Sequence, residues 1–323
     1  MVVLEHLKQK KHQIFPGAAL AVFLLFFGIP ASGDLYDFYV DASSSAAKEN
    51  GSEAYPFKTI GAAIRHIESE SFDNKNIFVK KGTYAEQVEL TSDSNLIGEN
   101  RSETIIDATG RAYGIYFRST NSQLSNLTVK KAVTNIRVNK RSRAVIANCT
   151  IKESMSDGII VDRSGNSKKY KFTFKYGSVE DSGKRGMYIF KRQVEIRNSL
   201  IRGSGEEGVD LHASLRGIIR DNEIKSNGES GIEMILAGTK ITIKGNSLSS
   251  NGAQGIAIQV YNSKRGTVKL TSNSIRNNGA YGVRYARYDR GKLKMKFKDF
   301  IAKCVKRRKN SIGANSGGDY GYQ

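Results

Sequence analysis

The chain has 323 residues, with 51 Lys and Arg against 31 Asp and Glu, a formal charge of +20. That length suits one large domain or two small ones. A core of this size needs no disulfide framework; Cys149 and Cys304 could pair but are far apart in sequence, and both read as structural. The positive excess favours acidic partners, such as uronate polysaccharides or an anionic cell-envelope polymer, and the sequence carries no nucleic-acid motif.

At the N-terminus, Lys8, Lys10 and Lys11 precede the apolar run "IFPGAALAVFLLFFGIP". Ala31 and Gly33 then stand where signal peptidase prefers small residues. Residues 1–33 read as a secretory signal peptide, with an uncleaved membrane anchor as the alternative. Setting them aside leaves 48 basic and 30 acidic residues, +18. The protein is expected to be secreted, periplasmic or on the cell surface, without stable membrane insertion once the signal is cleaved, and monomeric.

Residues 34–110 read as an N-terminal cap with entry strands. In "YPFKTIGAAIRHIES" (55–69) the apolar positions 57, 60, 63, 64 and 67 keep helical spacing. This predicts an amphipathic helix that plugs one end of the fold, with His66 as a structural member.

Residues 111–310 are repeats. A glycine followed by alternating apolar residues recurs as "GIYFR" (114), "GIIVD" (158), "GMYIF" (186), "GVDLH" (208), "GIEMI" (231), "GIAIQ" (255) and "GVRYA" (282). "NIRVN" (135) completes the series, since Asn tolerates the left-handed backbone best after Gly. A second motif holds Asn126, Asn148, Asn198, Asn222, Asn246 and Asn273 near a bend, where stacked amides would satisfy open backbone groups. No repeat can bury its apolar residues alone, so the repeats stack. A period in the low twenties built from short strands, without a leucine-rich frame, predicts an all-β, single-stranded right-handed parallel β-helix with a helical cap. In "KLKMKFKDF", Lys292, Lys294, Lys296 and Lys298 alternate with apolar residues, predicting a terminal strand guarded by lysines or a polyanion-binding strip. Residues 311–323 are Gly-rich and read as a flexible tail.

Several segments resemble the pectin-lyase-like superfamily of secreted β-helix proteins: "FYVDA" (38–42), "PFKTIGAAI" (56–64), "IFVKKGTYAEQVEL" (77–90), "LIGEN" (96–100) and "TIIDA" (104–108). The resemblance spans about residues 36–310 and implies the fold; members include lyases, hydrolases, esterases, epimerases and plain binding proteins. "GTYAEQV" is similar to a pectin methylesterase signature, but the rest of that active-site pattern is absent. "GVDLHA" is similar to the G-x-D-x-H segment of mannuronan C5-epimerases, which implies active-site roles for Asp210 and His212. The sequence departs from that pattern at Leu211, where the family has Pro, and at Glu207, where it has Tyr. The further acid would fall at Ile235; Glu233, on the same face, is the nearest substitute.

Strand alternation then fixes what faces outward. One column reads Tyr116, Arg137, Ile160, Tyr188, Asp210, Glu233, Ala257, Arg284; the next reads Arg118, Asn139, Asp162, Phe190, His212, Ile235, Gln259, Ala286. His212, Asp210, Tyr188 and Glu233 are the candidate catalytic residues. Tyr116, Arg118, Arg137, Asp162, Phe190, Gln259 and Arg284 are the candidate substrate contacts. Carboxylates one rung apart repel, so one pKa should rise unless Ca²⁺ lies between them; no metal ligands are assigned. The chemistry expected is β-elimination or C5 epimerisation of a uronate polysaccharide. The alternatives are a non-catalytic carbohydrate- or cell-wall-binding solenoid, and glycoside hydrolysis by the paired carboxylates.

Overall fold

The computed structural model describes residues 36–323 except 92, 119–120, 167, 213–214, 289–290 and 292. The proposed signal segment lies outside the described residues, and among them no helix is long and apolar enough to cross a membrane.

Each repeat lays down three short strands, as in Met187–Phe190, Gln193–Arg197 and Leu200–Arg202. Equivalent strands of successive repeats pair in parallel and build three long sheets, with 10, 11 and 10 strands among the described residues. We call them sheets 1, 2 and 3 in the order in which a repeat such as 187–202 visits them. Parallel connections of this kind coil right-handed, and the molecule is a right-handed parallel β-helix. Alternate residues point inward and stack by type. Ile115, Ile136, Ile159, Met187, Val209, Ile232, Ile256 and Val283 form one fully buried column of sheet 1.

The bends between sheets 2 and 3 explain the asparagines. Asn126, Asn148 and Asn198 take the left-handed backbone themselves. In later repeats Asp221, Gly245 and Ser272 take that position. The following residue, Asn222, Asn246 or Asn273, is then buried and passes its side-chain amide to the next rung, at 2.9, 3.0 and 2.9 Å, ending on Asn310. A second ladder runs Asn227–Asn251–Asn278–Asn315. Cys149, buried and unpaired with Cys304, fills an earlier bend.

Helix α1 (Ile60–Ser69) is capped by the Thr59 side chain, while the Glu86 carboxylate accepts from the Ile60 and Gly61 amides at 2.8 and 2.9 Å. It packs on the N-terminal edge strands and buries Ile60, Ala63, Ile64 and Ile67. His66 sits among Phe38, Phe57 and Phe72, a packing role.

Two C-terminal expectations are corrected. "KLKMKFKDF" is not a strand: it leads into helix α2 (Phe297–Cys304). Phe300, Ile301 and Cys304 bury one helical face, and Leu293 packs on the core ahead of it. Lys292 lies outside the described residues. Nor is 311–323 a flexible tail. Ser311–Gly313 and Gly318–Tyr322 pair in register with Ser274–Arg276 and Tyr281–Arg287, because Asn310 and Asn315 extend both ladders through one more turn.

Candidate functional site

Sheet 1 carries the site. Tyr188, Asp210 and Glu233 hold the same outward position on the adjacent strands Met187–Phe190, Val209–His212 and Ile232–Ile235. Their backbones are therefore one rung apart, about 4.8 Å. Phe190 pairs with His212 two residues further along.

Asp210 is the centre of the cluster and is only 5% exposed. Its Oδ1 lies 3.1 Å from His212 Nε2, close enough for an ion pair but without hydrogen-bond alignment, and the oxygen makes no hydrogen bond among the described residues. Its Oδ2 lies 3.5 Å from Arg185 Nη1. Arg185 also bonds buried Asp157 through Nε at 2.7 Å, and stacks its guanidinium 3.9 Å from the Tyr188 ring centre. Tyr188 and Phe190, both on the preceding strand, lie 5.0 and 5.7 Å from the His212 ring between centroids, Phe190 stacked on it and Tyr188 edge-on. The result is a half-buried imidazole set against two aromatic rings of the preceding rung and beside a buried carboxylate.

The electrostatics separate the acids. Burial first, and the Asp210 charge second, push the Glu233 carboxyl above the usual carboxylate range; a hydrogen bond with Gln259 works the other way. Glu207, beside the cluster, is pushed up to about 8 by burial, by a hydrogen bond with the Glu229 carboxyl, and by Asp210 and Glu233. Burial and then Asp210 raise the Tyr188 phenol, so it stays protonated at neutral pH. The groups available are thus an imidazole, a protonated phenol, the Asp210 carboxyl beside Arg185, and two carboxyls pushed above the usual range.

The structure brings His212, Asp210, Tyr188, Glu233, Phe190 and Gln259 together. It does not join the remaining candidates to them. Arg137 forms a two-bond pair with Asp162 at 3.1 and 3.2 Å and also donates to Tyr113, while Tyr116 accepts from Asn139. That self-satisfied cluster lies beyond Ile160 in the column. Arg118 is paired with Glu89, further still toward the N-terminus. Arg284 lies two rungs past Glu233 across Ala257, and its buried Nε has no partner among the described residues. Sequence reasoning missed Arg185 and Asp157 and noted Glu207 only as a departure. All three immediately precede a repeat glycine, and the backbone bonds Gly158–Arg185, Gly186–Glu207 and Gly208–Ser230 show that this position is itself a column.

Residues 134–295, half of the chain, match the family described as right handed beta helix region. The protein belongs to that family. No curated protein shows significant sequence similarity to this β-helix protein. Among solved structures it is similar to the mannuronan C-5 epimerase AlgE4 A-module of Azotobacter vinelandii, at 14% identity over 88% of this chain and 97% of that one, TM-score 0.52. It is also similar to an alginate lyase from Paenibacillus sp. str. FPU-7 (10% identity, 81% and 95% covered, TM-score 0.52) and to a pectin methylesterase from carrot (14%, 91% and 90%, TM-score 0.50). At these identities the likeness is one of fold.

The Ca²⁺ option is not supported by the donor set. Among the described residues no group of three or more His, Cys, Asp or Glu side chains is arranged to hold a metal ion, and Arg185 already places positive charge beside Asp210.

Proposed function

We propose that this β-helix protein is exported and modifies an acidic, uronate-containing polysaccharide by abstracting the C5 proton of a sugar residue. The observation that carries the reading is the placement of His212 beside buried Asp210, with Tyr188 in register one rung before and Glu233 one rung after.

The C5 proton is acidic only while the neighbouring carboxylate can take up the electron pair. That requires a proton or positive charge near the sugar carboxylate. Glu233, biased toward its neutral form, can donate a hydrogen bond there without repelling the substrate, and Arg185 offsets the charge of Asp210 beneath. His212 takes the C5 proton as general base, and Asp210 stabilises the imidazolium that forms. The electron pair from the C–H bond moves into the carboxyl group. From that intermediate two outcomes balance. In β-elimination the C4–O4 bond breaks, a C4–C5 double bond forms, and Tyr188 gives its proton to the leaving oxygen. In epimerisation Tyr188 returns a proton to C5 from the opposite face. The similar folds named for epimerisation of mannuronan and lysis of alginate support the substrate class by analogy of fold alone.

One observation favours a second reading. Glu233, its carboxyl pushed above the usual range, stands one rung from the Asp210 carboxyl, and two carboxyls of different environment side by side are the pair that glycoside hydrolysis uses. A single experiment separates these. Proton NMR of the protein with alginate and pectate would show unsaturated uronate signals for elimination, altered epimer ratios for epimerisation, or new reducing ends alone for hydrolysis. Line broadening without new signals would leave a binding protein, and no change with any uronan would refute the proposal.

A further inference from the structure

Sheet 2 carries a feature that the site on sheet 1 does not use. Its strands pair Lys175, Arg197, Arg220, Lys244, Thr271 and Arg308 in one outward column. Arg216 stands opposite Lys240, and Lys269 opposite Lys306, in the neighbouring columns. The four consecutive strands Arg216–Arg220, Lys240–Lys244, Thr267–Thr271 and Val305–Arg308 contain no acidic residue and no aromatic one. Within the column, Arg197 pairs with Glu195 at 3.0 Å and Arg220 with Asp221 at 2.7 Å. Arg216, Lys240, Lys244, Lys269 and Lys306 are exposed and form no ion pair among the described residues.

Like charges directly opposite one another on parallel strands destabilise a sheet. Here they recur rung after rung, at about 4.8 Å, along the solenoid axis. A solvated polar face would serve solubility as well with mixed signs. We propose that this face of sheet 2 binds an acidic polysaccharide laid along the solenoid axis, as a docking surface separate from the chemistry of sheet 1. A linear polymer with one carboxylate on each sugar presents a periodic charge to a periodic cation ladder. Single-stranded nucleic acid would call for aromatic platforms for its bases, and these strands supply none. The proposal does not depend on turnover at His212.

The test measures binding of the full chain to sodium pectate by calorimetry at several salt concentrations. Three proteins are compared: wild type, the exposed triple variant Lys240→Gln/Lys244→Gln/Lys269→Gln, and a control with the same charge loss at Lys48→Gln/Arg65→Gln/Arg111→Gln. The sheet 2 variant should lose at least tenfold in affinity at low salt and show a shallower salt dependence. The control should bind as wild type does, and the same difference between variant and control should appear when all three carry His212→Ala. Circular dichroism shows whether each variant keeps its fold, and single substitutions at the three lysines serve if the triple variant does not. Equal losses in variant and control would reduce the effect to net charge and overturn the proposal. So would unchanged binding by the sheet 2 variant, equal binding of fully methyl-esterified pectin, or tighter binding of duplex DNA than of pectate.

Discussion

Arg185 lies with its guanidinium 3.9 Å from the centre of the Tyr188 ring while its nitrogens reach Asp157 and Asp210. One cation therefore fixes an aromatic ring and offsets two carboxylates that are each about 95% buried. Removing it strands both charges. Arg185→Ala is expected to cost about 3 kcal/mol of stability, read as a lowered denaturant midpoint. Arg185→Lys restores charge but not the planar stack or the fork. It should recover part of that stability and little of any activity.

His212 is half-buried and reached from solvent, so its removal tests chemistry more than folding. His212→Ala should reduce turnover of a uronan by about a thousandfold, the range for loss of a general base. The melting temperature should move by no more than about 3 °C, the shift expected for ~1 kcal/mol in a large domain. A melting temperature that falls with the activity would instead make His212 a packing residue against Tyr188 and Phe190.

The juxtaposition of Tyr188, Asp210 and Glu233 was legible because a glycine opens each repeat and the period of two then fixes every outward position. Arg185 was not read, and Glu207 only as a departure from the family pattern, since both precede that glycine, where the turn hides the alternation. Aligning Asp157, Arg185, Glu207, Ser230 and Gln254 as a column of their own exposes them. Leu293, Met295 and Phe297 mimic a strand, whereas the buried Phe300, Ile301 and Cys304 that follow have helical spacing; the two periods overlap in too short a window to separate by eye. Glycine count made the last residues look loose. What decides their structure is Asn310 and Asn315, which continue ladders begun three rungs earlier.

Asn246 shows what a ladder residue contributes. It accepts from the Asn222 backbone and side chain at 3.1 and 2.9 Å, and donates to Ile219 O and Asn273 Oδ1, each at 3.0 Å. Asn246→Ala leaves several buried polar groups unmatched and should destabilise by about 3 kcal/mol or more. The substitution Asn246→Asp removes the donor and adds a buried charge, and should cost more still. Thermal unfolding of both variants at neutral pH checks the order.

Glu207 makes stability depend on pH. Its folded pKa of about 8 lies above the ordinary value of 4.5, so the folded state holds a proton that the unfolded chain releases. The stabilisation is fully present below about pH 4.5 and is lost as pH rises through about 8. Glu207→Gln keeps the neutral form at every pH and can still donate to Glu229. It should flatten the decline in melting temperature between pH 5 and pH 9 and melt above the wild type at the alkaline end. At pH 4.5 the two should melt together. A variant that tracks the wild type across the whole range would mean that Glu207 is ionised in the folded protein and that the Glu207–Glu229 hydrogen bond holds no proton.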